Sequence, residues 1–165
     1  MKKIKLLLCL FMLTTLCGCS NSNKNESSKT LNAAMFWIST SLDPTNNYDG
    51  WVLSRIGVGE TLLKLNEKYE VEPSLAKSYE QIDDTTWKLT LKDHITFSNG
   101  KKVTGENVKA CLERAFEKNT RAIDYFDLNH VEGKGQEVYL YLNKPSGALL
   151  NNLCEPLFTI YDASQ

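Results

Sequence analysis

The opening stretch, MKKIKLLLCLFMLTTLCGCS, limits what the rest of the chain is able to be. Lys2, Lys3 and Lys5 stand ahead of an apolar run from Leu6 to Leu16, and Gly18 follows between two cysteines. A basic head, a short apolar stretch and small residues at a cleavage point make an export signal. The run is too short to span a membrane, which takes ~20 apolar residues. The alternative is a buried helix of a cytosolic fold. Three lysines before the run and a polar tract directly after it argue against that. What folds is therefore the remainder, and it folds outside the cytoplasm.

Leu16-Cys17-Gly18-Cys19 also resembles a lipobox, the processing site of bacterial lipoproteins. The resemblance implies that residues 1–18 are removed and that Cys19 carries diacylglycerol on its sulfur. Two or more acyl chains hold a protein on a membrane for practical purposes permanently, at ~0.8 kcal/mol per buried methylene. Residues 19–30 then form a tether. SNSNKNESSKT, from Ser20 to Thr30, has no apolar residue and cannot bury enough surface to fold. The expected organisation is a signal (1–18), a flexible tether (19–30) and a folded body (31–165).

Losing the signal removes three of 19 basic side chains and leaves 16 against 20 acidic ones. With no basic stripe left, nucleic acid is a poor partner. Of five cysteines, Cys9 and Cys17 go with the signal and Cys19 is taken by lipid, so Cys111 and Cys154 remain. Outside the cytoplasm these two can pair, though the sequence does not show whether they meet. His94 and His130 stand at no zinc-like spacing from either cysteine, so no metal site is expected.

Along the body, Leu31–Ile38 is a mostly apolar run of strand type, and SLDPTNNYDGW after it is a loop rich in turn chemistry. Asp49 is placed to cap a helix starting near Trp51, with Leu53, Ile56, Leu62 and Leu63 on its apolar side. Gly57 and Gly59 weaken such a helix, or mark close packing against a neighbour. Ser78–Ile82 and Thr86–Lys92 read as strands joined at Asp83-Asp84-Thr85. Trp87, Leu89 and Leu91 alternate with polar residues, and Val138, Leu140 and Leu142 repeat the pattern. Ala148–Leu153 reads as a short helix. Strands and helices mix without a strict βαβ rhythm, giving a mixed α/β (α+β) body.

Ile95–Val108, ITFSNGKKVTGENV, raises the possibility of a phosphate-cradling loop. That needs Gly-x-x-x-x-Gly-Lys-Ser/Thr. No glycine lies five residues before Gly100, and Lys102 follows Lys101, so the spacing fails. The stretch works instead as a turn leading into a helix. Asn99-Gly100 supplies positive φ, Thr104 caps with Asn107 three residues on, and Val103 and Val108 form a hydrophobic staple. Val108, Cys111, Leu112, Ala115 and Phe116 then line one face, with Lys109, Glu113, Arg114 and Glu117 opposite.

Three pieces in order carry a resemblance. They are Glu60-Thr-Leu-Leu-Lys-Leu with Pro73-Ser-Leu-Ala-Lys-Ser-Tyr79, then Thr86–Lys92 with Phe97-Ser-Asn-Gly100, then Val103-Thr-Gly-Glu-Asn-Val108 leading a helix. Together they resemble the bacterial extracellular solute-binding proteins of family 5, the oligopeptide, dipeptide and nickel binders of ABC importers. The resemblance implies the N-terminal part of a two-lobed, type II periplasmic-binding-protein-like fold, cut in mid-fold. It implies a lipid-anchored monomer outside the cell that captures an oligopeptide or a nickel chelate and passes it unchanged to ABC permease subunits. It needs no cofactor and performs no covalent chemistry. In this family the loop after the first strand reaches the cleft, which points to Asn46, Asn47, Tyr48, Trp51 and Arg55 as ligand contacts. Trp51 is equally well read as a core residue, and Trp37 and Trp87 are expected in the core. Glu155 lies near where some nickel-chelate binders carry arginine, which argues against a carboxylate-bearing chelator. Gly105 and Asn107, where the family has Ala and Asp, are expected to loosen the helix start without changing its role. With most of the second lobe missing and one cleft wall absent, weak or no binding by these 165 residues alone is expected.

Two other readings remain. An anchored hydrolase would need a nucleophile with a base, or paired carboxylates in a cleft. Asp83-Asp84 sits in a turn instead, and His94 has no partner motif. A surface or sensing lipoprotein on the same scaffold, without transport, is the other.

Overall fold

The alternating segments pair as their pattern demands. A computed structural model describes residues 41–164, together with Asn32 and Ala34. The signal, Cys19, the tether and most of the apolar run Leu31–Ile38, Trp37 included, lie outside the described residues. Among the described residues, β1 (Leu63–Leu65) and β2 (Val71–Pro73) form a two-stranded ribbon. β3 (Ala76–Gln81), β4 (Thr86–Leu91), β5 (Leu128–Lys134) and β6 (Glu137–Leu142) form a second sheet. Its order is β3-β4-β6-β5, with every neighbour antiparallel. The β3–β4 turn closes at Asp83, whose Oδ1 accepts from the N–H and Oγ1 of Thr85.

Register places the apolar set on one face. Leu89 lies opposite Val138 and Trp87 opposite Leu140, and Val131 lies opposite Leu140 on the other side. Leu89, Leu91, Val131, Val138 and Leu140 are fully buried. Each such side chain contributes roughly 1.5–3 kcal/mol relative to exposure. The opposite face carries Lys88, Tyr139 and Glu132 in one cross-strand row, as expected of an antiparallel sheet with one wet side. Trp87 is half-buried and packs against the edge of the core, as expected in part. It stands near the start of β4, and its indole N–H is buried without a hydrogen-bond partner among the described residues.

Helix α2 (Gly105–Lys118) packs against β5 and β6 with Val108, Cys111, Leu112 and Ala115. Its start follows the expected capping chemistry. Asn107 Oδ1 accepts from the Thr104 N–H at 2.9 Å and from Thr104 Oγ1 at 3.1 Å, and both staple valines are buried. Gly105 does not loosen this turn. A Cβ there would stand 2.3 Å from Glu137 O and 2.7 Å from Lys134 N, and one on Gly133 would stand 1.9 Å from Gly105 O. The two glycines let helix and hairpin backbones touch, and the Gly105 N–H donates to Gly135 O at 2.7 Å. The polar side of α2 is also less free than the pattern implies. Lys109 donates to Val131 O, and Arg114 pairs with Asp43.

Cys111 and Cys154 are both free thiols. Cys111 donates to Tyr161 O at 3.1 Å, and burial pushes its thiol up to about 11. Short helices α3 (Ala122–Tyr125) and α4 (Leu149–Asn152) and a 3₁₀ turn (Pro156–Phe158) close the core. Ile160 then bridges back to Glu60.

The helix after the early loop differs from expectation. α1 is Asp49–Arg55, so Asp49 lies inside its first turn and Tyr48 occupies the cap position. It also stops before Leu62 and Leu63, which belong to the β1 entry. Gly57 adopts φ 75° and Gly59 φ 86°, a conformation that ends a helix. A Cβ on Gly59 would meet Thr159 Cγ2 at 2.5 Å, so close packing is this glycine's second role.

Candidate functional site

Residues 41–48 hold their shape through side chains rather than through a backbone ladder. Asp49 Oδ2 accepts from the N–H and Oγ of Ser41 and from Asn46 Nδ2, each at 3.0 Å. Asp43 Oδ1 accepts from the N–H and Oγ1 of Thr45, and its other oxygen takes the Arg114 guanidinium. Burial alone would raise the Asp43 carboxyl, but Thr45 and Arg114 outweigh it and hold it below the usual carboxylate range. Asn119 donates to Thr45 O and Asn47 O. α1 is then pressed onto the 3₁₀ turn. A Cβ on Gly50 would meet Pro156 O at 2.6 Å and Pro44 O at 2.8 Å, so only glycine fits.

This scaffold turns one row of side chains outward. Tyr48, Trp51 and Arg55 follow each other three and four residues apart, the spacing of one helical face. Tyr48 is 59% exposed and Trp51 41%, so Trp51 is not a core residue. The Arg55 guanidinium lies 5.9 Å from the Trp51 ring. Arg121 lies 4.4 Å over the Tyr48 ring and donates from Nη2 to the Tyr125 hydroxyl at 3.1 Å. Trp51 Nε1–H donates to Glu155 Oε2 at 3.2 Å. Burial, reinforced by the charge of Glu155, pushes the Tyr125 phenol upward. Asn47 is exposed at φ 48°, and its amide is spent on Asn46 Oδ1. Asn46 is directed inward to Asp49.

Three of the expected contacts, Tyr48, Trp51 and Arg55, thus share one ledge, while Asn46 and Asn47 shape the loop beneath it. Arg121, Tyr125 and Glu155 complete the ledge. They come from segments 66 to 107 positions away in the chain, and no local pattern marks Arg121 or Tyr125 as anything but the two ends of a short helix. Glu155 does not stand alone as an unmatched acid: it accepts the Trp51 N–H. Chemically, the ledge offers aromatic faces, guanidinium donors and one carboxylate. Such a set grips a ligand of mixed polarity. A groove of about 620 Å³ between residues 57–60, 96–99 and 160–162 lies elsewhere and mixes apolar side chains with Glu60, Asn99 and Asp162.

A family model described as bacterial extracellular solute-binding proteins, family 5 Middle, matches residues 70–165. The chain is also 35% identical over 147 residues to the nickel-binding protein NikA of Staphylococcus aureus. It belongs to this family. That alignment covers 89% of this chain and 29% of the relative, so the chain spans under a third of the relative's length. The crystal structure of S. aureus NikA in complex with Ni(L-His)2 superposes with a TM-score of 0.63 at 36% identity, covering 65% of this chain and 23% of that one. The nickel ABC transporter protein of Bacillus halodurans superposes with a TM-score of 0.72 at 29% identity, covering 77% and 27%. The mixed helix and sheet body is thus that of the type II periplasmic-binding-protein-like solute binders.

Proposed function

We propose that this chain is the substrate-binding component of an ABC importer and that it captures nickel as a small chelate outside the cell. The observation that carries the reading is the ledge of Tyr48, Trp51, Arg55 and Arg121 on a chain whose relative at 35% identity is a nickel-binding protein. Among the described residues no three His, Cys, Asp or Glu side chains gather to hold a bare ion. The ledge instead presents groups that recognise the organic shell around a metal. Aromatic faces take the flat parts of a chelator. The guanidinium donors of Arg55 and Arg121 take its carboxylate oxygens, which Glu155 alone would repel, in charge-assisted bonds roughly twice as strong as neutral ones. Glu155, engaged by Trp51, takes an amine or imidazole N–H.

In this reading residues 1–18 are cleaved, Cys19 carries lipid, residues 19–30 are the tether, and the ledge is one wall of a cleft. The ligand is held and released without any bond being broken, and a permease receives it. An oligopeptide held along the same wall is the competing cargo.

Nickel paramagnetism supplies the test. Adding Ni²⁺ with L-histidine to the full chain is expected to broaden the Trp51 indole and Arg121 side-chain NMR resonances first, even at weak affinity. A tripeptide series is expected to leave them unmoved. Shifts with the peptides and none with the nickel complex would overturn the assignment in favour of peptide cargo.

A further inference from the structure

Asn119 follows the last residue of α2 and is 6% exposed. Asparagine at a helix end usually supplies a left-handed residue. Here it does not, since Asn119 is extended at φ −121°, ψ 108°. Its side chain must account for it. Nδ2 donates to Thr45 O at 3.0 Å and to Asn47 O at 3.2 Å, while Oδ1 accepts from the Arg121 N–H at 3.0 Å. Two carbonyls only accept and one peptide N–H only donates, so the orientation of the carboxamide is fixed. Both of its donors and its acceptor are committed.

The two ends of that carboxamide lead to the two halves of one contact. Asn47, at φ 48°, turns the chain so that Tyr48 projects outward, and Arg121 lays its guanidinium 4.4 Å over the Tyr48 ring. The Asp43–Arg114 pair holds the same loop further back, nearer the middle of α2. Loss of Asn119 would therefore leave the loop attached and free its tip.

We propose that Asn119 is a positioning residue of the ledge: it registers Tyr48 against Arg121 through a single buried carboxamide. No other residue type does this. Aspartate keeps the acceptor and sets a charge against two carbonyls, leucine keeps only the volume, and glutamine adds a methylene to a closed site. The inference rests on the ledge being the binding surface only for its effect on affinity; the registration itself needs no ligand.

The first measurement is therefore ligand-free. The Arg121 Nε–H resonance of the full chain should be shifted upfield by the Tyr48 ring, and Tyr48→Leu should abolish that shift. Asn119→Ala and Asn119→Asp should move the resonance at least halfway to the Tyr48→Leu position, while Val138 and Leu140 methyl shifts stay native. An unmoved Arg121 resonance over an intact core would overturn the proposal. Should both variants fail to fold, the native chain still decides. Both Asn119 Nδ2 protons should exchange slowly with solvent, and exchange at the free-amide rate would be equally fatal. Where the nickel–histidine complex binds, Asn119→Ala should weaken it about tenfold, the scale of one hydrogen bond. If that complex does not bind the native ledge, the functional reading fails and the ring-current result still stands.

Discussion

The sheet with α2 and the loop with α1 lie in one compact unit but are held by different forces. The first is apolar. Leu89, Leu91, Val131, Val138 and Leu140 lose their water against Val108, Leu112 and Ala115. The second is a clasp of polar side chains, in which Asp43, Asp49 and Asn119 take up the N–H and C=O groups that an irregular loop leaves over. Hydrophobic burial is additive and undirected. A clasp depends on direction, and each broken bond leaves a buried group unpaired. The difference teaches why the ledge belongs on the clasp: directed bonds fix side-chain positions that a greasy contact would leave to slide.

The comparison breaks most severely at Leu140. Leu140→Ala should cost about 2–5 kcal/mol in urea unfolding, because a central buried position cannot collapse around the void. Gly133→Ala should follow at about 1–3 kcal/mol, since its methyl would run into the Gly105 backbone rather than into a side chain that can move aside. Asp49→Ala should also cost about 1–3 kcal/mol. Its signature differs: hydrogen exchange should speed up in residues 41–48 before the sheet amides respond.

Acid sharpens the contrast. Asp43 titrates lower in the folded chain than when unfolded. Its contribution is complete above the unfolded value of about 3.9 and is lost as pH falls through the folded one. Asp162, held by Lys101, Ser164 and Asn99, is shifted the same way. As pH falls below about 4, NMR should therefore show the loop loosening, with Asp43→Asn flattening its response, while the Lys101–Asp162 contact, whose carboxylate is pulled down further, outlasts it. The smallest effect on stability is expected at Trp51. Trp51→Ala should change it by less than about 1 kcal/mol, as an exposed position does, while removing the chelate response.

The same contrast explains what was legible in the sequence. Strand β6 and helix α2 were readable because period and burial coincide: Val138, Leu140 and Leu142 alternate, and Thr104 and Asn107 announce the cap. The β1–β2 ribbon was not, because strands of three residues carry too little pattern. Asp49 has the local marks of a cap, whereas its role, collecting Ser41 and Asn46, depends on how the chain folds back. Gly105 was misread for a related reason. Helix propensity is local, whereas its need for glycine comes from Gly133, far along the chain. On the ledge, Tyr48, Trp51 and Arg55 are expected at a cleft through the resemblance alone, and their common outward row follows from α1. Arg121 and Tyr125 were missed, because only the tertiary fold brings them to Tyr48.

The central claim is that the ledge is where a nickel chelate rests. Crystals of the chain grown with Ni²⁺ and L-histidine, measured at the nickel absorption edge, test it directly. The account predicts an anomalous peak beside Tyr48, Trp51 and Arg121, lost in Trp51→Ala. A peak confined to the groove between residues 57–60 and 96–99, with the ledge bare, would contradict it.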